Sequence, residues 1–236
     1  MIILLIPDIH LKHKRAQRII DAAGADINLF LGDIFDDFGD DVRQNVEAAI
    51  WFKEKLNDKR NIIIQSNHNF GHQYPKNPYG PCSGWTKEKS DAINKILTKE
   101  DWQKTRWHYV AQGYLFTHAG LLSKFLNPKI KTLEDIDKFL TEQGKEADIC
   151  AATGQSFWFY RAGFCRGGGY AASGGILWCD FNKEWSPIAG IKQIFGHTEI
   201  RTPEISKNGD IAIDCRMNYY LTLKDGVPTI HNYADL

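Results

Sequence analysis

The chain opens on an unbroken apolar run, Ile2 to Ile6 (IILLI), which ends at Pro7-Asp8. A short run with no polar alternation suits a strand buried on both faces of a layered sheet. Residues 14–23 alternate with helical spacing and predict an amphipathic helix. A second buried strand, INLFL at 27–31, ends at Gly32-Asp33. Apolar positions Val46, Ala49, Ile50 and Phe52 mark a helix from Val42 to about Leu56. A third strand at 61–65 (NIIIQ) ends at Ser66-Asn67-His68. Strand–helix–strand–helix–strand argues for parallel pairing through right-handed crossovers.

Beyond residue 70 the pattern loosens. Residues 70–84 hold three prolines and three glycines and predict a loop. A helix is expected at 85–98, and two strands within 108–118 joined through Gln112-Gly113. A further helix follows at 132–146. The stretch 163–175 (GFCRGGGYAASGG) predicts an irregular loop. Late strands are expected at 191–196, 211–214, 219–223 and 228–230, the last pair flanking the turn Lys224-Asp225-Gly226. With no repeat and no linker, the expectation is one α/β domain over residues 1–236, carrying a loop-rich insertion at about 70–106. Its two sheets pack face to face with helices outside, a sandwich of four layers, α/β/β/α.

Composition narrows the function classes. At 236 residues, 43% hydrophobic and 25% charged, the chain can bury a sizeable core. Its formal net charge is zero, which leaves no global footprint for long nucleic acid. No stretch approaches membrane-spanning length and no targeting segment is visible. The five cysteines are widely spaced and form no Cys-x-x-Cys pair. Free thiols in a reducing cytoplasm, bacterial or phage-infected, are therefore expected.

The polar residues fall at informative places. Asp8 and His10 follow the first strand, Asp33 the second, Asn67 and His68 the third. His118 ends LFTHAGL and His197 ends IKQIFGHT. Ligand sites in layered α/β folds lie beyond the carboxyl ends of strands, so these side chains can converge. Imidazole with carboxylate and amide oxygen suits a borderline divalent cation. Two such ions about 3.5–4 Å apart can hold a nucleophile and stabilise a leaving oxygen.

The series Asp8-Ile9-His10, Gly32-Asp33-Ile34-Phe35-Asp36, Asn67-His68, His118-Ala119-Gly120 and Gly196-His197-Thr198 resembles the calcineurin-like metallophosphoesterases. The HAGL and GHT elements, Leu177-Trp178-Cys179-Asp180 and the closing IAIDC…YYLTLKDG are similar to the phosphoprotein-phosphatase branch, in its bacterial and phage members. The resemblance implies the family's two-sheet fold and a dinuclear centre of divalent ions, manganese foremost, with iron, zinc, cobalt or nickel as alternatives. It implies that Asp8 and His10 bind the first ion, that Asp33 bridges, and that Asn67, His118 and His197 complete the second. His68 would protonate the leaving oxygen and Asp36 would orient it. The activity implied is hydrolysis of a phosphate ester, probed first as a phosphomonoesterase related to serine/threonine protein phosphatases. A nucleotide or dinucleoside polyphosphate hydrolase and a catalytically silent metal-binding scaffold are the alternatives.

Departures from the family pattern sharpen the question. Ser66 stands where the family has glycine before Asn-His, and Asn69 where it has an acid. Losing that charge should lower the pKa of His68. Asp37 replaces the arginine that clamps phosphate in the protein-phosphatase branch, so a guanidinium must come from elsewhere. Arg161, Arg166 and Arg216 are the substrate-binding candidates, lying in or near loops at the expected site. His13, His72, His108 and His231 match no motif and read as surface or structural, His72 being the first exception to consider. Asp37, Asp40 and Asp41 read as a solvated acidic loop. Aromatics such as Tyr74, Trp85 and Phe157 through Tyr160 read as packing rather than as a stacking platform for bases.

Overall fold

The computed structural model describes all residues, Met1–Leu236. Five strands build the first sheet: β1 (Ile2–Ile6), β2 (Ile27–Phe30), β3 (Asn61–Ile63), β9 (Tyr219–Lys224) and β10 (Val227–Asn232). The second holds β4 (Tyr109–Ala111), β5 (Tyr114–Phe116), β6 (Lys192–Phe195), β7 (Glu204–Ile205) and β8 (Ile211–Ala212). Their orders are β10-β9-β1-β2-β3 and β4-β5-β6-β8-β7. As expected from the opening pattern, β1, β2 and β3 run parallel. In the second sheet β5, β6 and β8 run parallel as well.

The side-chain period of two explains the layers. Ile3 and Leu5 of β1, Leu29 of β2, and Tyr114 and Phe116 of β5 share one buried cluster with Ile194, Ile211, Leu221 and Leu223 between the sheets. Leu4, Ile6 and Phe30 point the other way, onto α1 (His13–Ala23) and α2 (Val42–Asn57). Leu115 faces outward from the second sheet onto α6 (Leu133–Ala152). Each large apolar side chain so buried contributes roughly 1.5–3 kcal/mol.

Local signals set most boundaries. Asp41 and Gln44 form a capping box that starts α2, and Thr132 and Asp135 form another that starts α6. Gln112 and Gly113 both adopt positive φ, as do Asp225 and Gly226. These pairs give the tight mirror-image turns that suit twisted hairpins.

Three expectations need correction, and one strand was not foreseen. Residues 70–73 are not loop: they belong to α3 (Asn67–Gln73), because the Ser66 hydroxyl accepts from Asn69 N and starts a helix. The expected helix at 85–98 divides into α4 (Lys87–Asn94) and α5 (Lys99–Trp102), since a capping box between Thr98 and Asp101 begins a new helix. The helix at 132–146 runs on to Ala152, where Ala147 and Ala151 keep the apolar face buried. Strand β7 has only two residues, too short to leave a periodic trace.

Candidate active site

The parallel strands of both sheets bring their carboxyl ends to one edge. Asp8, His118, His197 and Asp214 each lie two residues past the last residue of β1, β5, β6 and β8. Asp33 follows β2, and Asn67 opens α3 just after β3. His118 Nδ1 donates to the Leu31 carbonyl (2.8 Å) and His197 N donates to Asp8 Oδ2 (2.8 Å), so the two sheets are tied together at the site.

The turns that do this are strained. His10, Asp33, Asp36 and His197 all have positive φ. A non-glycine residue held there costs roughly 1–3 kcal/mol, and such strain collects where surrounding structure enforces a functional geometry. Two glycines make room. A Cβ on Gly196 would overlap Asp8 Oδ1, and one on Gly32 (φ +113°) would overlap Ser66 Cβ.

The side chains converge around Asp33. Its Oδ2 lies 3.5 Å from His10 Nε2 and 3.4 Å from His118 Nε2. His10 Nδ1 donates to the Asp36 carbonyl (2.7 Å), which turns the bare Nε2 inward. Asn67 Oδ1 lies 2.8 Å from His118 Nε2 and 3.1 Å from His197 Nδ1, and those two nitrogens are 3.2 Å apart. Electron-pair donors crowded this closely need a proton or a cation among them. Asp8 Oδ1 is buried with no hydrogen-bond partner. Asp33, His118 and His197 are one group able to hold an ion, and His10, Asp33 and His68 are another.

The electrostatics agree. Burial and the neighbouring Asp214 and Asp33 carboxylates push Asp8 well above the usual range. Asp214 is itself raised by burial. Burial opposes charge on Asp33 too, but His118 and His68 hold it well below the usual range. Burial likewise works against the His118 cation, yet Asp33 and Asp8 raise it to about 9. His197 is driven well below its ordinary value by burial and by the charge on His118. Excess carboxylate beside imidazoles that compete for protons is the imbalance a divalent cation resolves.

His68 Nδ1 donates to Asp36 Oδ2 (3.2 Å), and the His68 ring meets that of His10 edge-on at 5.0 Å. Burial opposes the His68 cation, but Asp33 and Asp36 raise its pKa well above the ordinary value. Asp36 is held down to about 2: burial opposes, and the hydrogen bonds from His68 and His72 prevail. The lowering expected from the loss of an acid at position 69 is thus not what governs His68. Asn69 Oδ1 instead accepts from Ile34 N (3.0 Å), and the Ser66 hydroxyl accepts from Asp33 N (2.7 Å). Both departures from the family pattern anchor the Asp33 turn.

A cleft of about 190 Å³ opens over this centre, lined among others by His10, Lys12, Asp36, Asp37, His68, Asp214 and Arg216. Of the three candidate guanidinium groups only Arg216 lines it, 3.6 Å from Glu199. Arg166 is engaged by Asp180 (3.0 Å) and donates to Thr198 Oγ1 (3.1 Å), beside His197. Arg161 is exposed and does not line the cleft. Asp37 does line it, with Lys12 Nζ at 3.4 Å offsetting its charge.

A calcineurin-like phosphoesterase family model matches residues 1–201. The chain belongs to the calcineurin-like phosphoesterases. That family uses divalent metals and its members are generally hydrolases. No curated protein matches this phosphoesterase by sequence. Among solved structures, a cold-active protein tyrosine phosphatase superposes with a TM-score of 0.60 at 14% identity, covering 97% of this chain and 78% of its own. A protein serine/threonine phosphatase from Saccharomyces cerevisiae gives 0.55 at 14% identity, covering 98% and 79%. A putative diadenosine tetraphosphatase gives 0.50 at 14%, covering 98% and 93%. At that identity the likeness is one of fold, and it agrees with the two mixed five-stranded sheets flanked by helices.

Several residues escaped the motif reading. His72 is fully buried and donates from Nε2 to Asp36 (3.1 Å). Asp40 is not a solvated loop charge, since the buried Lys89 ammonium binds it and the Gly84 carbonyl and lies 3.8 Å from Asp36 Oδ1. Asp214 carried a signal in its place past a strand end, within IAIDC. Lys12 sits two residues beyond His10, and nothing in its spacing marks it. The aromatics at 157–160 do pack: Tyr160 stacks on Phe70 at 4.3 Å and Phe159 meets Trp107 at 5.3 Å. No helix is long and apolar enough to cross a membrane.

Proposed function

We propose that this phosphoesterase hydrolyses a phosphomonoester, with Asp8, His10, Asp33, Asn67, His118 and His197 holding two divalent cations, manganese in the first instance. The single observation that supports this most is the convergence of Asp33 Oδ2, Asn67 Oδ1 and His197 Nδ1 on His118 Nε2, each within 3.4 Å of it. When bound, such cations lower the pKa of water and polarise a phosphoryl oxygen. The chain's own residues do the rest. Asp33 lies between the two groups of donors and lends its charge to both. His68, kept cationic by Asp33 and Asp36, holds a proton at the cleft for the leaving oxygen. Arg216 and Lys12 place positive charge in the cleft where an arginine would otherwise follow Asp36. One domain carries this site, with residues 70–106 as the part that tailors it.

The protein with added manganese should hydrolyse p-nitrophenyl phosphate. His68→Ala should lower turnover of an alkyl phosphomonoester by about 10²-fold or more, and that of p-nitrophenyl phosphate by less, while two manganese ions per chain remain bound. A panel of phosphoserine peptide, phosphotyrosine peptide, mononucleotide and diadenosine polyphosphate would assign the substrate class. Absence of turnover with every one of these substrates and with any divalent metal would leave a silent scaffold.

A further inference from the structure

One cluster beside the centre has chemistry that phosphate hydrolysis does not require. Cys82, from the loop after α3, places its Sγ 3.5 Å from His68 Nδ1. Asp36 Oδ2 lies 3.2 Å from the same nitrogen. Ligand atoms of all three residues fall within 4.8 Å of one another. A thiolate, an imidazole and a carboxylate are a donor set for zinc or cadmium rather than for manganese or magnesium. A tetrahedral zinc with ordinary bond lengths spaces a nitrogen and a sulfur about 3.5 Å apart, and a nitrogen and a carboxylate oxygen about 3.3 Å apart. The two distances in the protein match those two edges.

The surroundings favour such an ion. Asp36 is buried, and both its oxygens lie within 3.3 Å of His72 Nε2. Asp36 and His68 line the cleft together with Ser83 and Gly84, which gives an ion a path to them. A Cβ on Gly84 (φ +85°) would approach Asp36 Cβ to 3.0 Å. The loop bearing Cys82 is therefore closed down on Asp36, not merely near it.

We propose that Cys82, His68 and Asp36 form a third cation site, selective for a thiophilic divalent metal, whose occupation inhibits the protein. Binding displaces the Cys82 thiol proton and the Nδ1 proton of His68 to solvent. The ion then takes His68 Nδ1 from Asp36 and stands beside the cleft that leads to the candidate centre. Only the inhibitory consequence rests on the hydrolysis proposed above; the site itself does not.

The test adds cadmium to the manganese-loaded protein and follows the ultraviolet charge-transfer band of a cadmium–thiolate bond. The oxygen and nitrogen donors of the two-cation centre cannot produce this band. The parent should show it saturating at one cadmium per chain, Cys82→Ser should lose it, and Cys165→Ser should keep it. Zinc should inhibit the parent at a concentration at least tenfold below that needed for Cys82→Ser, whose basal turnover stays that of the parent. No band in the parent, or an undiminished band in Cys82→Ser, overturns the site whether or not the protein turns over any substrate. A band that is lost while zinc inhibits both proteins equally overturns the inhibition.

Discussion

Asp36→Asn keeps the shape of a side chain that is 1% exposed and removes its charge. The carboxylate accepts from His68 Nδ1 at 3.2 Å and from His72 Nε2 at 3.1 Å, and faces the Lys89 ammonium at 3.8 Å. A hydrogen bond to a charged group is worth about 1.5–3 kcal/mol. Taken from the His68 cation, that is about 1–2 pH units at 1.36 kcal/mol per unit. Asp36 raises the folded pKa of His68, so the proton is available below that pKa and lost as pH rises through it. The upper limb of the kcat/KM profile should therefore move down by about 1–2 units in Asp36→Asn. Just below the parent's upper limb, turnover of an alkyl phosphomonoester should fall about tenfold to a hundredfold. With p-nitrophenyl phosphate the fall should be smaller, because nitrophenolate leaves without a proton. The variant also leaves buried cations facing an amide, a loss of about 3 kcal/mol. At about 2–4 °C per kcal/mol for a chain of this size, kinetics belong well below the lowered Tm. Superimposed pH profiles, or equal losses for the two substrates, would refute the reasoning.

Two further outcomes follow from the same geometry. Gly196→Ala drives a methyl group into Asp8 Oδ1; bound manganese should fall from two ions to one per chain by elemental analysis, and retention of both would show that Asp8 is not needed where it stands. Asp8 carries a raised pKa, so the folded state binds more protons than the unfolded one, and the metal-free protein loses stability as pH rises from the ordinary carboxylate range through the folded value. Asp8→Asn should accordingly raise the Tm of the metal-free protein at pH 7 while weakening stabilisation by manganese; an Asp8→Asn protein that melts lower without metal would contradict this.

Much of the architecture was legible from local pattern. The apolar run at 2–6, and that at 27–31 broken only by Asn28, predicted strands buried on both faces, because no other short element hides every side chain. Gln112-Gly113 and Asp225-Gly226 predicted hairpins because few residue pairs accept two positive φ values. Polar residues at strand ends predicted convergence, because parallel strands share a carboxyl edge. The sequence could not show where a side chain within a loop points. Arg161, Arg166 and Arg216 were equivalent as residue types, and only packing put Arg216 in the cleft and Arg166 against Asp180. Asp40 looked solvated until the buried Lys89 of α4 met it in its loop. His72 read as surface or structural, though the first exception to consider, and Cys82 as a free thiol, since their meaning lies in Asp36, more than 30 residues away in the chain. Residue type and strand-end position are set by short-range chemistry and are visible in one dimension. Which charge neutralises which, and which donor reaches which pocket, depends on distances that exist only once the two sheets have packed.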